Sequence, residues 1–134
     1  GIADAKKMGL YLSNKNELPD LVISSTALRA TTTAKTAMAE GKWPCQMILE
    51  ARIYGGGPLF LLNLSKNQDN FLSSICLVGH EPNFSNFLAK ATGETYQSFP
   101  KGSMARINFD VDNWKDITLG FGTLDWIVLP RELS

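Results

Sequence analysis

Histidine and cysteine are scarce in this chain of 134 residues, which contains one histidine, His80, and two cysteines, Cys45 and Cys76. The two cysteines lie in apolar surroundings and do not have the spacing of metal ligands. We therefore expect reduced, structural cysteines and no metal site. Such cysteine usage is typical of a cytoplasmic protein, and we predict that localisation.

An excess of one charge is also lacking, because 13 Lys and Arg residues balance 13 Asp and Glu residues. A balanced chain offers neither the basic footprint of a nucleic-acid-binding protein nor a polybasic patch for a membrane surface. No apolar run approaches the roughly 18 residues of a transmembrane helix, and positions 1–7 lack the pattern of a signal peptide. We predict no nucleic-acid partner and no membrane partner.

Hydrophobic residues make up 44% of the chain, which is enough for the core of a single domain of this length. Short apolar runs alternate with segments of helical periodicity. The predicted helices are about 2–13, 27–40, 58–67 and 83–91, and the predicted strands are 21–24, 46–49, 75–78, 104–109 and 114–121, followed by an extended segment at 124–131. This order predicts an α/β sandwich with a mostly parallel central sheet and an antiparallel edge.

His80 follows the apolar run 75–78 and precedes a helix that starts after Pro82. It is therefore predicted at the carboxyl end of a buried strand, where open α/β sheets bind their ligands. A histidine that only packs or caps in a loop explains the same pattern.

Arg29 follows the predicted strand 21–24 and lies one turn into the next helix, for which Ser25 and Thr26 are candidate N-caps. Helix amides and an arginine fork at the same place favour an anion, and arginine suits phosphate by bidentate geometry. Arg29 and His80 at neighbouring strand ends would form a phosphate pocket. A solvated charge on a helix surface is the alternative explanation for Arg29.

The glycine triplet 55–57 superficially suggests a phosphate-binding loop. It matches neither a Walker A motif nor the GxGxxG pattern, and no strong strand signal precedes it. A flexible joint before the helix at Pro58 is the favoured interpretation.

Two segments together resemble the histidine phosphatase (phosphoglycerate mutase-like) superfamily. Residues 25–34 are similar to its Ser-x-x-x-Arg-Ala-x-x-Thr-Ala segment, and residues 77–82 are similar to its second-histidine motif. The spacing of these segments, the stretch from Glu50 to Tyr54 and the stretch 99–105 look most like the small SixA-type phosphohistidine phosphatases. The resemblance covers nearly the whole chain and implies a three-layer sandwich with helices on both faces.

The resemblance implies a hydrolase that forms a covalent phosphohistidine and then releases phosphate by attack of water. Arg29 matches the arginine that clamps the phosphoryl oxygens, and His80 matches the second histidine, which contacts the phosphoryl group and stabilises its charge. Both are thus expected as catalytic and phosphate-binding residues, without a metal or organic cofactor. The implied substrate is a protein phosphohistidine or a small phosphorylated molecule. Glu50 and Glu81 are nearby acids without an assigned role.

The chain departs from the pattern at the nucleophile, because it has no Arg-His-Gly motif and its one histidine matches the second position. Residues 1–5 resemble the Gly-x-x-x-Ala start of the family's first helix. Residues 1–134 are therefore expected to form one histidine-phosphatase-like domain that lacks the family's first strand and nucleophile loop. Such a loss would leave strand edges unpaired and apolar surface exposed. We expect activity from the complete protein and none from this chain alone.

Three interpretations of function follow. The first is a SixA-like phosphohistidine phosphatase in the complete protein. The second is a catalytically inactive phosphate-binding or interaction domain without the nucleophilic histidine. The third is a structural α/β domain in which Arg29 and His80 have no shared role. Anion binding and its loss on substitution of Arg29 or His80 separate the third interpretation from the first two.

Overall fold

The computed structural model describes residues 1–96 and 98–133. Its helices are α1 (Ile2–Lys15), α2 (Leu28–Gly41), α3 (Pro58–Lys66) and α4 (Asn83–Thr92). Its strands are β1 (Leu21–Ser24), β2 (Gln46–Leu49), β3 (Ile75–Val78), β4 (Met104–Asn108) and β5 (Thr123–Val128). Short 3-10 turns occur at Ala51–Ile53, Trp114–Asp116 and Pro130–Glu132. In the described part of the chain, no helix is long and apolar enough to cross a membrane.

The first three strands form a parallel sheet in the order β2-β1-β3. The register places Ser24, the last residue of β1, opposite Leu49 of β2 and Val78 of β3. All three strands therefore end at the same edge of the sheet, which is where α/β proteins carry their functional residues. This sheet and its helices confirm the predicted mostly parallel α/β fold.

Helices cover both faces of this sheet because the side chains of β1 alternate between the faces. Val22 packs on one side with Leu12 of α1 and with Ala34 and Ala37 of α2. Ile23 packs on the other side in a second core cluster. That cluster contains Ile53, Leu61 of α3, and Phe84 and Phe87 of α4. The result is a three-layer arrangement of helix, sheet and helix.

The two helices α1 and α2 approach each other closely at Gly9. A Cβ atom at Gly9 would collide with the backbone of Ala37, so only glycine fits there. The carbonyl of Gly9 accepts a hydrogen bond from the indole Nε1 of Trp43 at 3.1 Å. This contact fixes the end of α2 against α1.

The late strands form a separate antiparallel pair, in which Met104 of β4 lies opposite Val128 of β5. The prediction that residues 114–121 form the partner of β4 is wrong, although the extended segment predicted from residue 124 does contain most of β5. Trp114 instead begins a 3-10 turn, and its indole donates to the carbonyl of Leu72 at 2.7 Å. Because Ile117 is buried as well, this segment packs against the rest of the protein and cannot run along β4.

A cleft of about 1170 Å³ lies between the two sheets. All four residues of β3 and all five residues of β4 contribute to its walls, together with residues of α1, α2 and α4. Within residues 1–96 and 98–133, β3 pairs only with β1 and β4 pairs only with β5. Each of these two strands therefore has one unpaired edge. In the described part of the chain, no strand hydrogen bonds join the antiparallel pair to the parallel sheet.

Candidate active site

The ends of the three parallel strands place the candidate residues near one another. Ser25 follows β1 directly and leads to Arg29 in the first turn of α2, while Gly79 and His80 follow β3. The segment after β2 leads to Tyr54. The structure thus brings together Arg29 and His80, the two site residues predicted from the sequence, and it adds Ser25 and Tyr54.

The position of His80 depends on tight packing at Gly79. A Cβ atom at Gly79 would collide with the side chains of Phe84 and Ile53, so the strand end lies directly on the core. The imidazole Nε2 of His80 lies 2.8 Å from the hydroxyl Oγ of Ser25. Burial, and then the positive charge of Arg29, lower the pKa of His80 below its ordinary value of 6.5. The neutral imidazole is therefore favoured at neutral pH.

Ser25 is completely buried and connects β1, β3 and α2. Its backbone amide donates to the carbonyl of Val78 at 2.9 Å, and its Oγ accepts from the amide of Ala27 at 3.2 Å. The sequence suggested Ser25 as an N-cap, but the N-cap residue of α2 is Ala27, without a side-chain bond. No local sequence signal indicated the contact with His80, because the two residues are 55 positions apart.

Arg29 is exposed at the start of α2, and its guanidinium carbon lies 5.5 Å from the centre of the Tyr54 ring. Within the described residues, no carboxylate forms an ion pair with Arg29. An arginine that carries no protein counter-ion and lies in the first turn of a helix is well suited to an anionic ligand.

Tyr54 contacts both Arg29 and His80, and the centre of its ring lies 4.9 Å from that of the His80 ring. The preceding residue, Ile53, is completely buried and anchors the segment in the core. The electron-rich face of a tyrosine ring attracts a guanidinium group, so Tyr54 helps to hold Arg29 near His80. Tyr54 remains 58% exposed and is accessible to a ligand.

The carboxylate of Glu50 is hydrogen-bonded to Arg52 and is not free to act as a proton donor. Its carboxylate accepts from the backbone and the side chain of Arg52, and these bonds lower its pKa to about 2. A carboxyl group that is ionised at all physiological pH values is a poor proton donor. Glu50 instead caps the 3-10 turn that leads to Tyr54.

Glu81 also has a structural role, because its Oε1 accepts from the backbone amide of Ser85 at 2.7 Å in the first turn of α4.

The glycine triplet leads into α3, with Gly57 as its N-cap and Pro58 as its first residue. In the part of the chain that the structure describes, no cluster of three or more His, Cys, Asp or Glu side chains could hold a metal ion. Cys45 and Cys76 are both free thiols, so neither forms a disulfide.

The cleft between the two sheets opens onto this site. Arg29, Gly79 and His80 line it at the end of the parallel strands, and β3 and β4 line it along its length. A strand placed in this cleft parallel to β3 would end beside His80 and Arg29.

No model of a protein family matches the chain, and no curated protein matches its sequence. Solved structures do resemble it. A protein of Agrobacterium tumefaciens assigned as the phosphohistidine phosphatase SixA has a TM-score of 0.81 at 22% identity, and the match covers 97% of this chain and 80% of that one. A protein of Nakamurella multipartitia with the same assignment has a TM-score of 0.81 at 21% identity, covering 96% of this chain and 81% of that one.

A third structure is the protein histidine phosphatase SixA complexed with tungstate. It has a TM-score of 0.76 at 20% identity, and the match covers 98% of this chain and 82% of that one. At these identities the likeness concerns the fold. The chain therefore has the SixA-like, phosphoglycerate mutase-like α/β fold that its motifs predicted.

Proposed function

We propose that this protein acts as a phosphohistidine phosphatase, with Arg29 and His80 as part of its phosphoryl-binding site. One observation carries the proposal: Arg29 and His80 line the same cleft at neighbouring strand ends, and no carboxylate of the described residues forms an ion pair with Arg29. The fold shared with SixA structures supports the same reaction class.

Arg29 binds two oxygens of the phosphoryl group through its guanidinium fork, and His80 donates a hydrogen bond to another. Both interactions strengthen as negative charge develops on these oxygens during transfer. Glu50 is held ionised by Arg52 and so does not supply a proton to the leaving group. The leaving imidazole of a phosphohistidine needs less help from an acid than an alkoxide does, which fits such a site.

The nucleophile is proposed to be a histidine carried by a strand that fills the cleft between β3 and β4. Both facing edges are unpaired within the described residues, and an unpaired edge takes up a strand readily. A strand parallel to β3 would bring its carboxyl end to Arg29 and His80, where a nucleophile is required. In this arrangement one continuous sheet would replace two separate ones.

Intact mass and N-terminal sequencing of the natural gene product test the proposed strand. We expect a mass above the 14.7 kDa of this chain and an added strand that ends in a histidine. The same preparation should release phosphate from a phosphohistidine peptide, whereas this chain alone should not. Turnover by this chain alone would contradict the proposed nucleophile.

Substitution of the two site residues tests the proposed roles in the full-length protein. Arg29→Ala and His80→Gln should each lower kcat/KM on the phosphohistidine peptide by about a hundredfold or more, because each removes a group that offsets transition-state charge. Lys35→Ala is the matched control, since Lys35 is an exposed cation on the same helix. If Arg29→Ala and His80→Gln kept the same kcat/KM as Lys35→Ala, the proposed site would be refuted.

An inactive phosphate-binding domain is the second candidate, favoured by one observation: the only histidine of this chain, His80, already contacts Ser25. Binding of tungstate without turnover by the natural gene product would support it.

The preferred substrate class is a separate question for the active protein. The rates of phosphate release from a phosphohistidine protein and from a small phosphate ester, compared at equal concentrations, would identify it.

A further inference from the structure

The hydroxyl of Ser25 is a completely buried group in direct contact with the candidate catalytic imidazole. A buried hydroxyl has one proton to donate and two lone pairs that accept, and such groups are almost always hydrogen-bonded. The partners of the Ser25 hydroxyl therefore determine whether Ser25 donates a hydrogen bond to His80 or accepts one from it.

One lone pair of Ser25 Oγ accepts the amide proton of Ala27 at 3.2 Å. The hydroxyl proton also needs an acceptor. Among residues 1–96 and 98–133, the only group that can accept a proton in a hydrogen bond with Ser25 Oγ is Nε2 of His80, at 2.8 Å. The hydroxyl must therefore donate to Nε2 to avoid a buried unpaired proton.

We infer that Ser25 is a positioning residue that holds neutral His80 in the tautomer with its proton on Nδ1. The bond made by one ring nitrogen determines which form of the other nitrogen is present. In this tautomer Nδ1–H is a donor, and within the described residues it has no hydrogen-bond partner. It is thus free to donate to a phosphoryl oxygen while the ring is uncharged. The inference rests on the proposed function only in naming a phosphoryl group as the ligand.

This arrangement explains how His80 can bind an anion although burial and Arg29 favour its neutral form. A neutral imidazole that carried its proton on Nε2 would present a bare Nδ1 to the ligand. A lone pair there would repel a phosphoryl oxygen, whereas Nδ1–H attracts it.

Nitrogen NMR of histidine-labelled, full-length protein at about pH 8, well above the ordinary histidine pKa, tests the tautomer directly. His80 is the only histidine of these 134 residues, and His80→Gln assigns its signals if a longer chain carries others. We expect a protonated Nδ1 and a bare Nε2. A protonated Nε2 in the unmodified protein would overturn the inference, whatever the variants do.

The variants then separate positioning from folding. Ser25→Ala should shift His80 towards the Nε2–H tautomer, which free histidine prefers in water, and Ser25→Thr should keep the Nδ1–H tautomer because it keeps the hydroxyl. Ser24→Ala is the matched control, since Ser24 is adjacent, equally buried and donates only to the carbonyl of Ser25. An unchanged tautomer in folded Ser25→Ala would also overturn the inference.

Tungstate affinity, measured by calorimetry, links the tautomer to the ligand. Ser25→Ala should weaken tungstate binding roughly three- to tenfold, the effect of one lost hydrogen bond, while Ser24→Ala should not. Equal affinity of the two variants would overturn the link between Ser25 and the anion. Absence of tungstate binding in the unmodified protein would contradict the proposed function, and the tautomer measurement would still decide the position of the ring proton.

Discussion

The neighbouring parallel strands β1 and β3 have similarly apolar sequences but are buried to different degrees. Val22 and Ile23 of β1 are completely buried, whereas all four residues of β3 are only partly buried. Within the residues that the structure describes, β1 has a strand on both edges, while β3 has a strand on one edge and faces the cleft with the other. Apolar sequence alone thus does not bury a strand, because burial also requires a neighbour.

The largest expected difference between β1 and β3 is in the free energy of unfolding that is lost when a large apolar side chain in each strand is truncated. Ile23→Ala should lower the free energy of unfolding by about 2–5 kcal/mol, because it leaves a cavity in a closed core. Leu77→Ala in β3 should cost less in this chain, because its site is already partly open. Urea unfolding of the two variants measures the difference.

The same pair should behave differently in a protein whose cleft is filled. There, the cost of Leu77→Ala should approach that of Ile23→Ala, because a strand beside β3 would complete its burial. Equal costs of the two substitutions in this chain alone would show that β3 does not need another neighbour.

A smaller effect is expected at Tyr54, which follows β2 and joins the ends of β1 and β3 through Arg29 and His80. Tyr54→Ala should weaken tungstate binding about two- to fivefold, because a partly exposed cation–π contact contributes roughly 0.5–1 kcal/mol. Tyr54→Phe keeps the ring and should bind like the unmodified protein. A loss of affinity in Tyr54→Phe would instead assign the effect to the phenol hydroxyl.

The smallest expected effect is the electrostatic influence of Arg29, at the end of β1, on the pKa of His80, at the end of β3. Arg29→Ala should raise the pKa of His80 towards 6.5 without reaching it, since burial is the larger cause of the lowered value and remains. Titration of the His80 ring protons by NMR measures this change. Lys35→Ala is again the control, and an unchanged His80 pKa in Arg29→Ala would show that the two strand ends are independent.

The sign of the pH dependence follows from the same shift. Because the pKa of His80 is lowered on folding, the unfolded chain binds a proton more readily than the folded one. The contribution of His80 to stability is therefore complete above its ordinary pKa of 6.5 and is lost as the pH falls through the lower, folded value. In Arg29→Ala this loss should become smaller.

Local sequence patterns were sufficient to predict the parallel strands and to select Arg29 and His80 as candidate site residues. The apolar runs at β1 and β3 are followed at once by polar residues and helical periodicity, so the positions of Arg29 and His80 could be predicted. The partner of β4 could not, because residues 114–121 carry as good a strand pattern as residues 123–128. Hydrogen bonds from Trp114 to Asn70 and Leu72 decide between them, and these lie more than 40 positions away.

The sequence by itself therefore determined the four helices, the parallel strands and the residue types at their ends, since periodicity and capping act over a few residues. The tertiary structure alone decided that Ser25 meets His80, that Tyr54 contacts both Arg29 and His80, and that a cleft separates β3 from β4. The physical reason is that these contacts join segments distant in the chain. They arise only when parallel strands align their ends and helices pack on both faces of the sheet.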